Sequence, residues 1–279
     1  MAFLWFNLAL VFELLATGGF IVYLVKQHKW VFSCSYWLLV AGFFCHTILL
    51  VCQYHSLGAV PILGFKSALS FFSWSIIFAY LIFQAKFKLR VLGSFIAPLA
   101  TFVMLISSTM PWLEGPVGPQ FKSILLTVHI VVAFMGNGMF AVTFLAAIMY
   151  LLLERSIKQK KFGSFYDRLP SLATLDSINY YSLVYGFILL TLGMITGSIY
   201  AQHIIGTYWQ WDPKEVWSLI TWISYAVLIH ERLVVGWRGR KAAIISIICF
   251  CILIFSFMGV SLWLGGYHSF DSLGVRKAL

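Results

Sequence analysis

Residues 179–205 read NYYSLVYGFILLTLGMITGSIYAQHII, a run of 27 residues without Asp, Glu, Lys or Arg. A helix of about 20 apolar residues crosses the hydrocarbon core of a bilayer. This run is longer than that, so its ends project or tilt. Gly186, Gly193 and Gly197 fall at i, i+7 and i+11, on one helix face. Gly193-Met-Ile-Thr-Gly197 is a small-xxx-small pattern, which lets a second helix come close. Reading this stretch as a membrane span decides how the rest of the chain is read.

Outward from it, the same character recurs. The chain has 279 residues, 61% apolar and 10% charged, with a mean hydropathy of +0.92. Soluble domains are about 45–50% apolar and about 25% charged. An ordinary soluble enzyme, a disordered protein and a nucleic-acid binder are therefore excluded. Eight long apolar runs are present: Ala2–Val25, Trp30–Gln53, Ser67–Ala85, Leu89–Met110, Ser123–Leu153, Asn179–Ile205, Val216–Val235 and Ala242–Leu264. The expected fold is an all-α polytopic membrane protein of about eight transmembrane helices. It forms a single membrane domain over residues 1–279, with four spans in residues 1–110.

Basic residues test that map. If the connections after runs 1, 3, 5 and 7 face the cytoplasm, they hold 14 of the 19 Lys and Arg, and the opposite side holds five. Cytoplasmic loops collect Lys and Arg, so both termini are expected to be extracytoplasmic. The net charge of +10 is explained first by this topology. The polar stretch Glu154–Ser177 carries five basic residues and reads as an inner anchor. No basic segment precedes the first apolar run, so no cleavable signal peptide is expected.

The five cysteines all fall in apolar runs and form neither CxxC nor CxxCH. Neither thiol oxidoreductase chemistry, nor a zinc site, nor covalently attached haem is indicated. Aromatics make up 18% of the chain, which hints at a flat apolar partner such as a lipid, quinone or porphyrin.

Between the sixth and seventh runs stands Gly206-Thr-Tyr-Trp-Gln-Trp-Asp-Pro-Lys-Glu-Val-Trp217, on the outer side. Trp209, Trp211, Trp217 and Trp222 fall within 14 residues. An interfacial aromatic belt explains tryptophan at a membrane edge. It does not explain Asp212 between Trp211 and Pro213, or Gly206 ahead of the first Trp. In extended backbone Trp209 and Trp211 face the same way and form one flat surface. Asp212-Pro213 turns the chain, and Glu215 stands at a helix start, where the dipole favours a carboxylate.

Of seven histidines, His129 opens the fifth run and His268 follows the eighth, both on the outer side. His230 lies 14 residues into the seventh run, about 21 Å from its outer end. An ionisable residue at that depth is costly and usually functional. His46 is in the outer half of run 2, and Glu13 is mid-span in run 1, where a polar contact between helices or proton coupling would suit it. Two histidines flanking an aromatic platform are what a bis-histidine haem site needs. The competing reading is that histidines stand at the membrane edge incidentally.

The segment Gly206–Trp222 resembles the tryptophan-rich WWD signature of haem-handling proteins. It is most similar to the CcsA (ResC) type of cytochrome c assembly protein. Leu175-Asp-Ser-Ile-Asn, Leu228-Ile-His-Glu-Arg, Gly236-Trp-Arg-Gly-Arg and Gly265-Gly-Tyr-His-Ser resemble that family too. Ile205 stands before Gly206, where the signature usually has Trp, and the family's acidic stretch after span 2 is absent.

The resemblance implies a haem-handling core over residues 123–270 with its loop at 206–217. Non-covalent haem b would be the transported substrate. It would be held outside by His129 and His268 against Gly206, Trp209, Trp211, Asp212 and Trp217, and presented to the CxxCH thiols of apocytochrome c. His230 would serve a second, membrane-embedded haem position, its partner ligand coming from a separate CcsB (ResB)-like protein. The chain would then be the membrane subunit of a holocytochrome c synthetase complex, its own catalytic residues unknown. It would lie in a bacterial inner membrane, or in a thylakoid membrane if plastid. Alternatives are a HemX-type regulator of haem synthesis, a transporter with the Trp cluster as gate, and a WWD protein of the other bacterial assembly pathway.

Overall fold

The computed structural model describes residues 1–60, 62, 64–112, 118–160 and 168–260. Helices carry almost all of them, and no strand occurs among the described residues. In chain order they are α1 (Ala2–Lys26), α2 (Lys29–Leu57), α3 (Phe65–Phe87), α4 (Gly93–Thr109), α5 (Ile124–Lys158), α6 (Leu172–Ile205), α7 (Pro213–Leu233) and α8 (Arg240–Ile254). A single 3-10 turn, Arg90–Leu92, leads into α4, and α8 continues through a π turn at Phe255–Gly259. The molecule is an all-α polytopic membrane protein.

Seven of these helices are long and apolar enough to cross a membrane. Helix α7 is not among them. It occupies the place expected for the seventh run, but it includes Lys214, Glu215, His230, Glu231 and Arg232. Helix α6 begins seven residues earlier than its apolar run, at Leu172, because Ser171 caps it: its hydroxyl accepts the Thr174 N–H at 3.2 Å. At 34 residues, α6 is about 51 Å long and overshoots a hydrocarbon core of about 30 Å.

Helix α1 packs on α2 and α4, α3 packs on α4 and α5, and α5 packs on α6 and α8. The α3–α5 contact joins the first four helices to the last four. Large side chains fill that junction: Phe71 and Phe134 meet edge to face at 5.2 Å. Helices α5 and α6 pack closely, with the Cβ position of Gly136 only 3.1 Å from the Gly186 carbonyl oxygen. The glycine face read from the α6 sequence is the one that meets α5.

The first four helices also share a fully buried polar cluster. His46 Nδ1 lies 3.2 Å from Glu13 Oε1, and neither side chain is exposed. His46 Nε2 lies 2.8 Å from Ser70 Oγ. Ser73 donates to Glu13 Oε2 at 3.4 Å and to the Ala100 carbonyl at 2.8 Å. Glu13 is thus a contact between helices, tying α1, α2, α3 and α4 where an unpaired carboxylate would be costly.

Candidate functional site

Helix α6 ends at Gly206, whose φ of +81° closes the helix with its N–H on the Gln202 carbonyl. Glycine takes that conformation without steric cost. Five residues of loop follow, and then Asp212 caps α7. Its carboxylate accepts the Lys214 N–H at 3.1 Å, and Glu215 Oε2 reaches back to the N–H groups of Asp212 at 3.4 Å and Gln210 at 2.8 Å. Pro213 takes the first helical position, where no N–H is needed. Asp-Pro-Lys-Glu is therefore a capping box that fixes where α7 starts.

The two loop tryptophans do not form one flat surface. Their rings meet edge to face, 5.9 Å between centroids and 89° between planes. Trp211 has a φ of +60°, so the backbone is not extended there and the alternation that would align the rings is lost. Trp211 is 77% exposed, while Trp209 is half-buried. The pair forms a corner with one outward-facing wall. Trp217 packs edge-on against Phe255 at 4.6 Å, joining the start of α7 to the π turn after α8.

His129 stands near the N-terminal end of α5. Its Nδ1 lies 2.7 Å from the Gly193 carbonyl oxygen of α6. A carbonyl can only accept, so Nδ1 carries the proton, and in neutral imidazole the lone pair is then on Nε2. The ring occupies the space over Gly197, where a Cβ would meet Nδ1 and Cε1 at 2.7 Å. Helix α7 comes to the same level: Trp222 Nε1 donates to Thr191 Oγ1 of α6 at 2.9 Å and stacks on Phe187 at 5.3 Å. His129 thus lies on the α5–α6 contact, and α7 packs on α6 through Trp222. His268 lies outside the described residues.

His230 is exposed on α7, and its ring meets no hydrogen-bond partner among the described residues. It stands in an outward stripe with Ile220, Ile223, Val227 and Val234, all exposed. Counting from Pro213 it is 17 residues down the helix, about 25 Å. The opposite face of α7 buries Thr221, Tyr225, Leu228 and Arg232.

Two residues beyond His230 lies a polar cluster that sequence reasoning did not assemble. Arg232 donates to Asp176 Oδ2 at 3.0 Å and to Asn179 Oδ1 at 2.8 Å. Asp176 Oδ1 also accepts the Gly239 N–H at 3.0 Å. The signal was present in the quoted segments Leu175-Asp-Ser-Ile-Asn, Leu228-Ile-His-Glu-Arg and Gly236-Trp-Arg-Gly-Arg. Nothing in their spacing says that they meet.

Comparison with known proteins identifies the family and the fold. The family described as "Cytochrome C assembly protein" matches residues 63–268. The cytochrome c biogenesis protein CcsA of Guillardia theta is 30% identical over 267 residues, covering 89% of this chain and 89% of that protein. The CcsA protein of Chlamydomonas reinhardtii is 32% identical over 232 residues, covering 80% of this chain and 64% of that protein. Among solved structures, the cytochrome c haem lyase CcmF shares the fold with a TM-score of 0.64 at 15% identity. That match covers 92% of this chain and 46% of CcmF. With a helical frame, a capped tryptophan loop and a family match over most of its length, this chain belongs to the cytochrome c assembly protein family.

Proposed function

We propose that the chain works in cytochrome c maturation, holding haem b non-covalently at the outer membrane face and presenting it to the CxxCH thiols of apocytochrome c. His129 and His268 are the two axial ligands. Gly206, Trp209, Trp211, Asp212 and Trp217 build the wall beside them. The observation that carries this reading is the bond from His129 Nδ1 to the Gly193 carbonyl. Metal-ligating imidazoles donate their second nitrogen to an acceptor of this kind, which fixes the tautomer and raises the basicity of the ligating nitrogen. A bis-histidine haem takes one imidazole nitrogen on each face of its iron, and Nε2 of His129 would be the atom for one of them. The corner formed by Trp209 and Trp211 would support this role differently from a flat platform, offering one indole face to a porphyrin and the other ring to close its edge. Asp212 and Glu215 act on this wall through the capping box, not on iron.

His230 serves a second haem position in the membrane. Its outward placement in an apolar stripe suits a ligand shared with a CcsB-like partner, which would bring the opposing imidazole. All eight helices then cross, α7 included, with both termini outside, as the basic residues favour. The membrane is a bacterial inner membrane or a thylakoid.

The absorption spectrum of the purified protein tests the reading. A Soret band with the sharp visible bands of low-spin haem is the expected result. A protein that matures cytochrome c and never carries haem would overturn it.

A further inference from the structure

We propose that Arg232, gripped by Asp176 and Asn179, is a positioning residue for His230: it sets the rotation and depth at which α7 presents that imidazole to the outside of the bundle. The inference rests on the reading of His230 as a haem ligand. Its ground is the way α7 is held. Inside a membrane, apolar packing gives little direction, because lipid tails are as apolar as the neighbouring helices. Directional polar contacts therefore add to side-chain packing, such as the stack of Tyr225 on Phe140 at 3.6 Å, in fixing how a helix is turned. Among the described residues of α7 they are few: the capping box at the outer end, the Trp222–Thr191 bond, the Cys249 thiol on the Ser224 carbonyl, and the Arg232 cluster at the other end.

Arg232 and His230 are two residues apart, about 200° around the helix, so they point to opposite sides. The Arg232 side chain is 4% exposed, and its ion-pair partner Asp176 is 21% exposed. The guanidinium uses two nitrogens, Nη1 to Asn179 Oδ1 and Nη2 to Asp176 Oδ2, and lies 5.3 Å over the Tyr180 ring. This planar fork accepts only a narrow range of directions. Turning α7 by one residue, about 100°, or sliding it by about 1.5 Å, would break both bonds.

The far side of the grip is equally fixed. Asn179 Nδ2 donates to the Thr143 carbonyl of α5 and to Ser246 Oγ of α8, each at 3.0 Å. Asp176 holds the Gly239 N–H, just ahead of α8. Helices α5, α6 and α8 therefore form one socket into which Arg232 keys the His230 end of α7. His230, on the opposite face, has no side-chain hydrogen bond among the described residues that would aim it.

The test uses the complex solubilised in mild detergent, in a chain where His129→Ala and His268→Ala remove the outer ligands. Haem that remains reports on His230. Four substitutions are added singly: His230→Ala, Arg232→Gln, Arg232→Lys and Asn179→Ala. The last two keep a buried cation beside Asp176, so they fold even where Arg232→Gln does not. Haem per protein and the low-spin spectrum are recorded, and the same substitutions are made in the chain with intact outer ligands.

The proposal expects His230→Ala to remove the remaining haem. Arg232→Gln and Asn179→Ala should weaken its retention roughly tenfold to a hundredfold, as losing an orienting partner does at metal sites. Arg232→Lys should fall between them and the parent, with a shifted spectrum. Haem on the outer pair and protein yield should not change for Asn179→Ala and Arg232→Lys. If His230→Ala removes the haem and the Arg232 and Asn179 substitutions leave amount and spectrum untouched, the positioning role is wrong. If they lower outer haem and yield to the same degree, the cluster is merely structural and the proposal is equally overturned. If His230→Ala itself changes nothing, the reading of His230 fails first and takes this inference with it.

Discussion

Substituting Gly197 by alanine should separate haem binding from folding. A Cβ on Gly197 would lie 2.7 Å from both Cε1 and Nδ1 of His129 and 3.5 Å from Cγ. Carbon atoms in folded proteins do not approach that closely, so the imidazole must move. Its Nδ1 is held at 2.7 Å by the Gly193 carbonyl, one helical turn away on the same face. The ring therefore retreats only by lengthening that bond. Losing the bond costs about 0.5–1.5 kcal/mol. Alanine in a helix interior is favoured over glycine by about 1 kcal/mol. The two nearly cancel, so the melting temperature should stay within a few degrees of the parent. Haem affinity has no such offset. Removing the orienting partner of an imidazole ligand costs about tenfold to a hundredfold, or about 1.4–2.8 kcal/mol. Titration of the purified protein with haem, followed at the Soret band, reads this directly. Gly193→Ala is the control: its Cβ meets Ala133 Cβ at 3.2 Å, which presses on helix packing and leaves the carbonyl in place. A Gly197→Ala protein that binds haem as tightly as the parent, with the same spectrum, would refute the reasoning about His129.

Three further outcomes follow from other parts of the molecule. Glu13→Ala leaves His46 buried without its partner and should destabilise the protein by about 3–5 kcal/mol, seen as a lowered thermal unfolding midpoint in detergent; Glu13→Leu combined with His46→Leu should recover much of that loss, and no recovery would mean the pair is not a packing unit. Asp212→Ala removes the cap of α7 and should cost about 0.5–2 kcal/mol and loosen the tryptophan corner, read as a change in tryptophan emission; Asp212→Asn keeps an acceptor and should change little. A reporter fused after Leu279 should read extracytoplasmic, and one inserted after Lys158 should read cytoplasmic; the reverse pattern would discard the topology.

Much of the frame was legible because the bilayer imposes it. Ile, Leu, Phe and Val runs of the needed length mark α1 to α6 and α8, and Gly186, Gly193 and Gly197 mark the face that meets α5. Helix α7 was harder to read, since Lys214, Glu215, Glu231 and Arg232 dilute its apolar character while its capping box states its start. The tryptophan pair was misread as flat because φ at Trp211 is set by the turn into Pro213, which alternation of side chains does not capture. The bond from His129 to Gly193 spans 64 residues and depends on the axial register of two helices. The grip of Asp176 and Asn179 on Arg232 likewise spans more than 50 residues. Local pattern carries neither register nor rotation, so both links had to come from the packed structure.

The central claim is that His129 and His268 hold one haem at the outer face. The most direct measurement is the haem spectrum and cytochrome c yield of His129→Gly and His268→Gly, each with and without added imidazole. Each single substitution should lower bound haem or convert it from the low-spin form, and imidazole should restore part of both signals by filling the vacated position. A doubly substituted protein that keeps the parent spectrum and matures cytochrome c at the parent rate would contradict the account.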